Sequence, residues 1–142
     1  MTALGRAEGI EIKYGGRTGN TSLSHQLLHY ARSQSLQLQT DVALELFRLH
    51  FGEERDITSL ETMIDAAGNC GLDVQRVRAY LENGVAKAQV DTEAASLRKE
   101  GVKGVPRFRF QNGESEVDGA GDVMEFFEIL MGIKGGVDGE LG

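Results

Sequence analysis

Apolar and polar positions alternate with a period of two in two places, and between them the period is helical. Ile10, Ile12 and Tyr14 alternate with Glu11 and Lys13, which predicts a short half-buried strand over 9–14 ending at Gly15 and Gly16. From Asn20 and Thr21, either of which can cap, the spacing becomes helical, with Leu23, Leu27, Leu28 and Ala31 on one face as far as Ser33. A second helix is predicted from Gln39 to Phe51, its stripe made by Val42, Ala43, Leu46, Phe47 and Leu49, with Gly52 near its end. Thr58 and Glu61 have capping-box spacing and open a third helix carrying Leu60, Met63, Ile64 and Ala67, which Gly71 closes. Asp73 caps a fourth, with Val74, Val77 and Leu81 before Gly84. The fifth runs from Ala86 to Glu100, with Val90, Ala94 and Leu97 inward, Arg98 and Lys99 in the last turn, and Gly101 after it.

After Gly101 the period falls back to two. Val105 to Phe110 reads as a strand, Asn112 and Gly113 are the favoured pair for a type I′ turn, and Ser115 to Val117 return antiparallel. Asp118 to Asp122 turn into a last helix, Asp122 to Met131, whose Val123, Phe126, Phe127, Leu130 and Met131 form the most hydrophobic face of the chain. Residues 132–142 are glycine-rich without periodicity and read as a flexible tail. The order is strand, five helices, hairpin, helix. The first strand must find its partner across about ninety residues, which makes the helical block an insertion into a small α/β sheet.

The chain has 142 residues, enough for one domain at roughly 100 to 200 residues each. With 15 Lys and Arg against 22 Asp and Glu, the net charge of −7 repels a polyphosphate backbone, so nucleic acid is not an expected partner. No apolar run approaches the length of a membrane span, and the first residues carry no leader-like pattern. A cytoplasmic protein with no membrane partner is the expectation. The single cysteine, Cys70, excludes an internal disulfide, a thiolate zinc site and a Cys-x-x-Cys pair within this chain. Beside a helix-closing glycine it reads as a small buried hydrophobe. His25 and His29 are spaced i, i+4, a metal-compatible pair, but only Glu45 or His50 on the next helix offer a third ligand; hydrogen bonding or packing is the simpler reading, and no metal is expected.

Pro106, the only proline, stands at the front of the hairpin strand. Alone it says no more than strand edge, since a cis bond precedes only about 5 to 6% of prolines. The hairpin and glycine-rich turn that follow raise the cis reading. Arg107 and Arg109 share one strand face and Phe108 and Phe110 the other, so one face is solvated, and the arginine strip has the charge to attract an anion. Gly119, Ala120 and Gly121 put backbone N–H groups at a helix start, a generic anion site, although structural capping is commoner and Asp122 competes there.

Gly104-Val105-Pro106-x-Phe108, the Asn112-Gly113 hairpin, Asp118-Gly119-Ala120 and the final amphipathic helix resemble, in that order, the C-terminal half of the DsbA-like thioredoxin-fold proteins. Asn20-Thr21 and Ser24-His25-Gln26-Leu27 after a strand ending in Tyr14, with the helical insertion, resemble the FrnE branch in particular. Leu46-Phe47 with Phe51, Arg55-Asp56-Ile57, and Ala67 with Gly71-Leu72-Asp73 extend the likeness over residues 7–131. The resemblance implies an α/β, thioredoxin-like fold of DsbA type: one domain over 1–131, with a strand at 9–14, an α-helical insertion over 20–101 and a hairpin plus helix over 102–131. The family's N-terminal βα unit, a strand and the helix bearing Cys-x-x-Cys, would precede residue 7 and is missing.

By this resemblance Pro106 is the family's cis-proline, and Val105 pairs its backbone N–H and C=O with an extended thiol substrate. The partner class is a thiol- or disulfide-containing protein or a small thiol. The implied function is membership of a thiol-disulfide oxidoreductase family, without a dithiol cycle in this polypeptide, so no catalytic residue and no cofactor is assigned. A second reading is a glutathione-dependent relative of kappa-class transferases or hydroxychromene-carboxylate isomerases, which use the corner matching Gly119 to Gly121 for a carboxylate of glutathione. A third is a non-catalytic binding module that keeps the cis-proline groove. A missing strand leaves apolar surface that two copies could bury against each other.

Overall fold

Nine elements were expected to be helical or extended in a set order, and a computed structural model, which describes residues 2–102, 104–119 and 122–137, largely keeps that order. It contains α1 (Thr2–Ala7), α2 (Ser22–Gln34), α3 (Leu36–Phe47) with a π-helical turn Arg48–Gly52, α4 (Leu60–Asn69), α5 (Val74–Glu82), α6 (Lys87–Lys99), β1 (Arg107–Phe110), β2 (Ser115–Asp118) and α7 (Val123–Val137). Contacts cluster in two compact units, Met1–Ala94 and Ala95–Gly142.

The first unit is helical. Leu27 and Ala31 of α2, Val42 and Leu46 of α3, Leu49 of the π turn, Met63, Ala66 and Ala67 of α4, and Val77 and Leu81 of α5 form its buried core. All but Ala66 are positions the helical period singled out. Ser35 starts α3 earlier than predicted, because its Oγ accepts the Leu38 N–H at 3.0 Å. Asp73 caps α5 as expected, accepting from Gln75 and Arg76 at 3.0 and 3.2 Å. The capping box at Thr58 does not form. Thr58 donates its N–H and its hydroxyl to Asp56 Oδ1 at 2.8 and 2.6 Å, and Glu61 receives both guanidinium arms of Arg78, each at 2.9 Å. An Asx turn two residues upstream has outcompeted the box.

The strand predicted at 9–14 is also absent. Ile10 donates its N–H to Gly5 at 2.7 Å and Lys13 to Phe51 at 2.8 Å, two isolated bonds in place of a ladder. Alternation marked a half-covered segment, but a strand needs a neighbour with a free edge, and the sheet of the described residues contains only β1 and β2. The segment instead lies on the π turn: a Cβ on Gly16 would come within 2.9 Å of His50 Nδ1, so only glycine fits there.

In the second unit β1 and β2 pair antiparallel in the register Arg107 with Asp118, Phe108 with Val117, Arg109 with Glu116 and Phe110 with Ser115. The connection is not a two-residue type I′ turn. A 3-10 turn over Gln111–Gly113 makes it, with Gln111 at φ 47° and Gly113 at φ 101°. Phe126 of α7 meets Phe108 edge-on at 4.9 Å and Phe110 at 6.2 Å, with Val117 buried alongside. Helix α7 continues to Val137, so 132–137 of the expected tail are helical, and 138–142 lie outside the described residues. Its glycines weaken a helix whose earlier turns are already propagating but do not stop it. Val123, Met124, Phe127, Leu130 and Met131 are exposed on α7, although the sequence put Val123, Phe127, Leu130 and Met131 on the helix's packing face. Helix α6 buries nothing: Val90 and Ala94 are half-buried and Leu97 is exposed, against the inward face predicted for it. No helix among the described residues is long and apolar enough to cross a membrane.

Candidate functional site

Val105 precedes β1 and is 90% exposed, although valine is an apolar, strand-forming residue. The bond from Val105 to Pro106 is cis. The Pro106 carbonyl accepts the Gly119 N–H at 2.7 Å, one step beyond the last cross-strand pair. Among the described residues, neither the N–H nor the C=O of Val105 has a hydrogen-bond partner. An open cavity of about 400 Å³ lies against it, lined by Gly101, Gly104, Val105, Asp118 and Gly119. A smaller one, about 240 Å³, is lined by Leu97, Val102, Val105, Arg107 and Arg109. A residue with both main-chain groups unengaged, beside a groove walled largely by glycine, can pair with another extended backbone.

The arginine face next to it is neutralised. Arg107 pairs with Glu116 and lies 3.5 Å from Asp118, while Arg109 reaches Glu100 at 2.7 Å and Glu116 at 2.9 Å. The Arg107 hydrogen bond, helped by the charges of both arginines, holds the Glu116 carboxyl below its ordinary range, and Arg109 does the same for Glu100. The expected attraction of an anion to this strip is therefore not supported. The signal was present in the sequence: Glu116 and Asp118 also alternate with period two, so an antiparallel register places them on the arginine face.

The glycine corner fares similarly. The Gly119 N–H is spent on Pro106, and Asp122 Oδ1 accepts the Met124 N–H at 3.0 Å, putting a carboxylate where a visiting anion would sit. Ala120 and Gly121 lie outside the described residues. Of the other sequence candidates, Cys70 caps α4 half-buried, and burial, then the charges of Glu45 and Asp41, push its thiol up. His29 Nδ1 is 3.0 Å from the Tyr80 hydroxyl and His50 Nδ1 is 3.1 Å from the Arg55 carbonyl, while Glu45 is taken by Arg48 and Asn69. His25 is exposed and is not part of the packing. Among the described residues no cluster of three metal-ligating side chains occurs.

A β-hairpin backed by one amphipathic helix, with a proline at the hairpin mouth and a helical unit ahead of it in the chain, fits part of a thioredoxin-like architecture of DsbA type. The chain belongs to the DsbA-like family: the family model described as DSBA-like thioredoxin domain matches residues 1–131. It is similar to the crystal structure of a probable DsbA oxidoreductase from Streptomyces coelicolor, with 26% identity and a TM-score of 0.77, over 94% of this chain and 57% of that one. The chain thus spans a little over half the length of that relative. No curated protein sequence matches it.

Proposed function

We propose that this chain is a FrnE-like member of the DsbA-like family that docks extended, cysteine-bearing polypeptide at Val105 and does not itself exchange disulfides. The observation that carries this is the exposed Val105, whose backbone has no partner among the described residues, beside a glycine-walled groove. One cysteine supplies no resolving thiol, so a mixed disulfide formed here could not be released by a second sulfur of the same chain. That cysteine is half-buried with a raised thiol, which leaves little thiolate at neutral pH to begin such a reaction. The work is therefore recognition, the partner a thiol- or disulfide-containing protein.

Two assays on the full chain test this. Reduction of insulin by dithiothreitol should run no faster with the chain than without it. A fluorescent, unstructured peptide with one cysteine should bind saturably, lose most of its affinity to Val105→Pro, which deletes the N–H, and keep it with Val105→Ala, which does not. Accelerated insulin reduction, or equal binding by all three proteins, would overturn the reading.

A further inference from the structure

We infer that two copies of this chain pair through residues 10–14, each supplying the strand that the other lacks. Residues 10–15 run without helix, turn or bend, and Ile10, Ile12 and Tyr14 alternate with Glu11 and Lys13. The segment has a strand's pattern and no neighbouring strand among the described residues. One of its edges is held by the π turn, where Lys13 donates its N–H to the Phe51 carbonyl at 2.8 Å. Peptide groups along an extended run point to the two edges in turn, so those of Ile10, Ile12 and Tyr14 belong to the other edge. There the Ile10 N–H is taken by the Gly5 carbonyl at 2.7 Å. The Ile10 carbonyl and both main-chain groups of Ile12 and of Tyr14 have no partner among the described residues. Such an edge is a template for a further strand.

The charges of the segment select a second copy as the occupant. An antiparallel pairing with Ile12 on the two-fold axis sets Ile12 opposite its own copy, Ile10 opposite the second copy's Tyr14, and Glu11 opposite the second copy's Lys13. Symmetry repeats each pair, so two cross-strand ion pairs form together. Glu11 and Lys13 are exposed and in no salt bridge among the described residues, so neither has to leave a partner. An axis at Glu11 or at Lys13 would set like charges opposite each other, which fixes the register at Ile12. In that register Ile12 exchanges N–H and C=O with its copy, and each Tyr14 N–H donates to the Ile10 carbonyl across the axis. The Ile10 N–H stays on Gly5.

The same face supplies apolar surface. An open groove of about 570 Å³ runs beside the segment, its wall including Ile10, Ile12, Leu44, Phe47 and Phe51. Tyr14 meets Phe51 edge-on at 6.3 Å. Ile10, Tyr14, Leu44 and Phe47 are each more than half exposed. Four large apolar side chains from each copy are enough for the pair to reach the roughly 1,000 Å² that a specific interface requires.

Sedimentation velocity of the full chain across a concentration series tests this, and a reversible monomer–dimer equilibrium is expected. Lys13→Glu and Glu11→Lys, both at exposed positions, should each weaken dimerisation about tenfold or more, since each replaces two attractive pairs by two like-charge pairs. Combining Glu11→Lys with Lys13→Glu puts opposite charges back across the axis and should restore dimerisation. Phe127→Ser, at an exposed position on α7, should leave the equilibrium where it was. A chain that stays monomeric throughout, a dimer indifferent to both single reversals, a double variant as weak as the single ones, or a dimer that Phe127→Ser dissociates would overturn the inference.

Discussion

The amide of Gly119 donates to the carbonyl of Pro106 at 2.7 Å, and this bond is what ends the hairpin and sets Val105 outside it. One residue on, Arg107 faces Asp118 within the ladder. One residue back, Val105 has no hydrogen-bond partner among the described residues and lines the groove.

Gly119 makes this bond at φ +84°, where a Cβ would meet nothing within 4 Å. Gly119→Ala is therefore a test of backbone strain alone, with an expected cost of about 1–2 kcal/mol. Urea unfolding should show it as a lower midpoint with an unchanged slope.

Burial separates two substitutions of similar chemistry. Leu27 is fully buried among the first unit's helices, and Leu27→Ala should cost about 2–5 kcal/mol in transfer and cavity terms. Val123 is largely exposed on α7, and Val123→Ala should stay within about 0.5 kcal/mol. Equal losses in chemical denaturation would mean that α7 is covered.

Glu45, Glu61, Glu100 and Glu116 are each held below the usual glutamate value of 4.5, chiefly by hydrogen bonds from Arg48, Arg78, Arg109 and Arg107 respectively. A carboxyl depressed in the folded state contributes stability above its unfolded pKa and loses it as pH falls through the folded value. Thermal unfolding should therefore be flat from pH 7 to about 5 and fall in the acid range below it. Glu61→Gln should reduce that acid slope while leaving the other three contributions in place.

The Cys70 thiol should be sluggish. Burial and the neighbouring charges of Glu45 and Asp41 raise it, so iodoacetamide at neutral pH should label the native chain more slowly than free cysteine, and the difference should vanish in denaturant. Cys70→Ser should leave peptide binding untouched.

Most of the helical unit was legible in the sequence because its signals are local: Asp73 before Val77 and Leu81, or Leu27 and Ala31 one turn apart, depend on nothing distant. The register of Arg107 to Phe110 against Ser115 to Asp118 was also legible from alternation. What failed depended on competition or on absent neighbours. Thr58 had two acceptable partners and took Asp56, and Ile10 to Tyr14 carried a strand pattern with no edge to join. For the candidate site, the motif pointed to Val105 and Pro106 and the alternation of Glu116 and Asp118 to the pairing of the arginines, but the engaged Gly119 amide could be seen only once Pro106 was placed opposite it.

Amide hydrogen exchange at Val105, with and without an unstructured cysteine peptide and its serine counterpart, tests the central claim most directly. Backbone docking predicts slowed exchange at Val105 with both peptides, since the contact is made by main-chain groups and not by sulfur. Unchanged exchange at Val105, with protection arising elsewhere or nowhere, would contradict it.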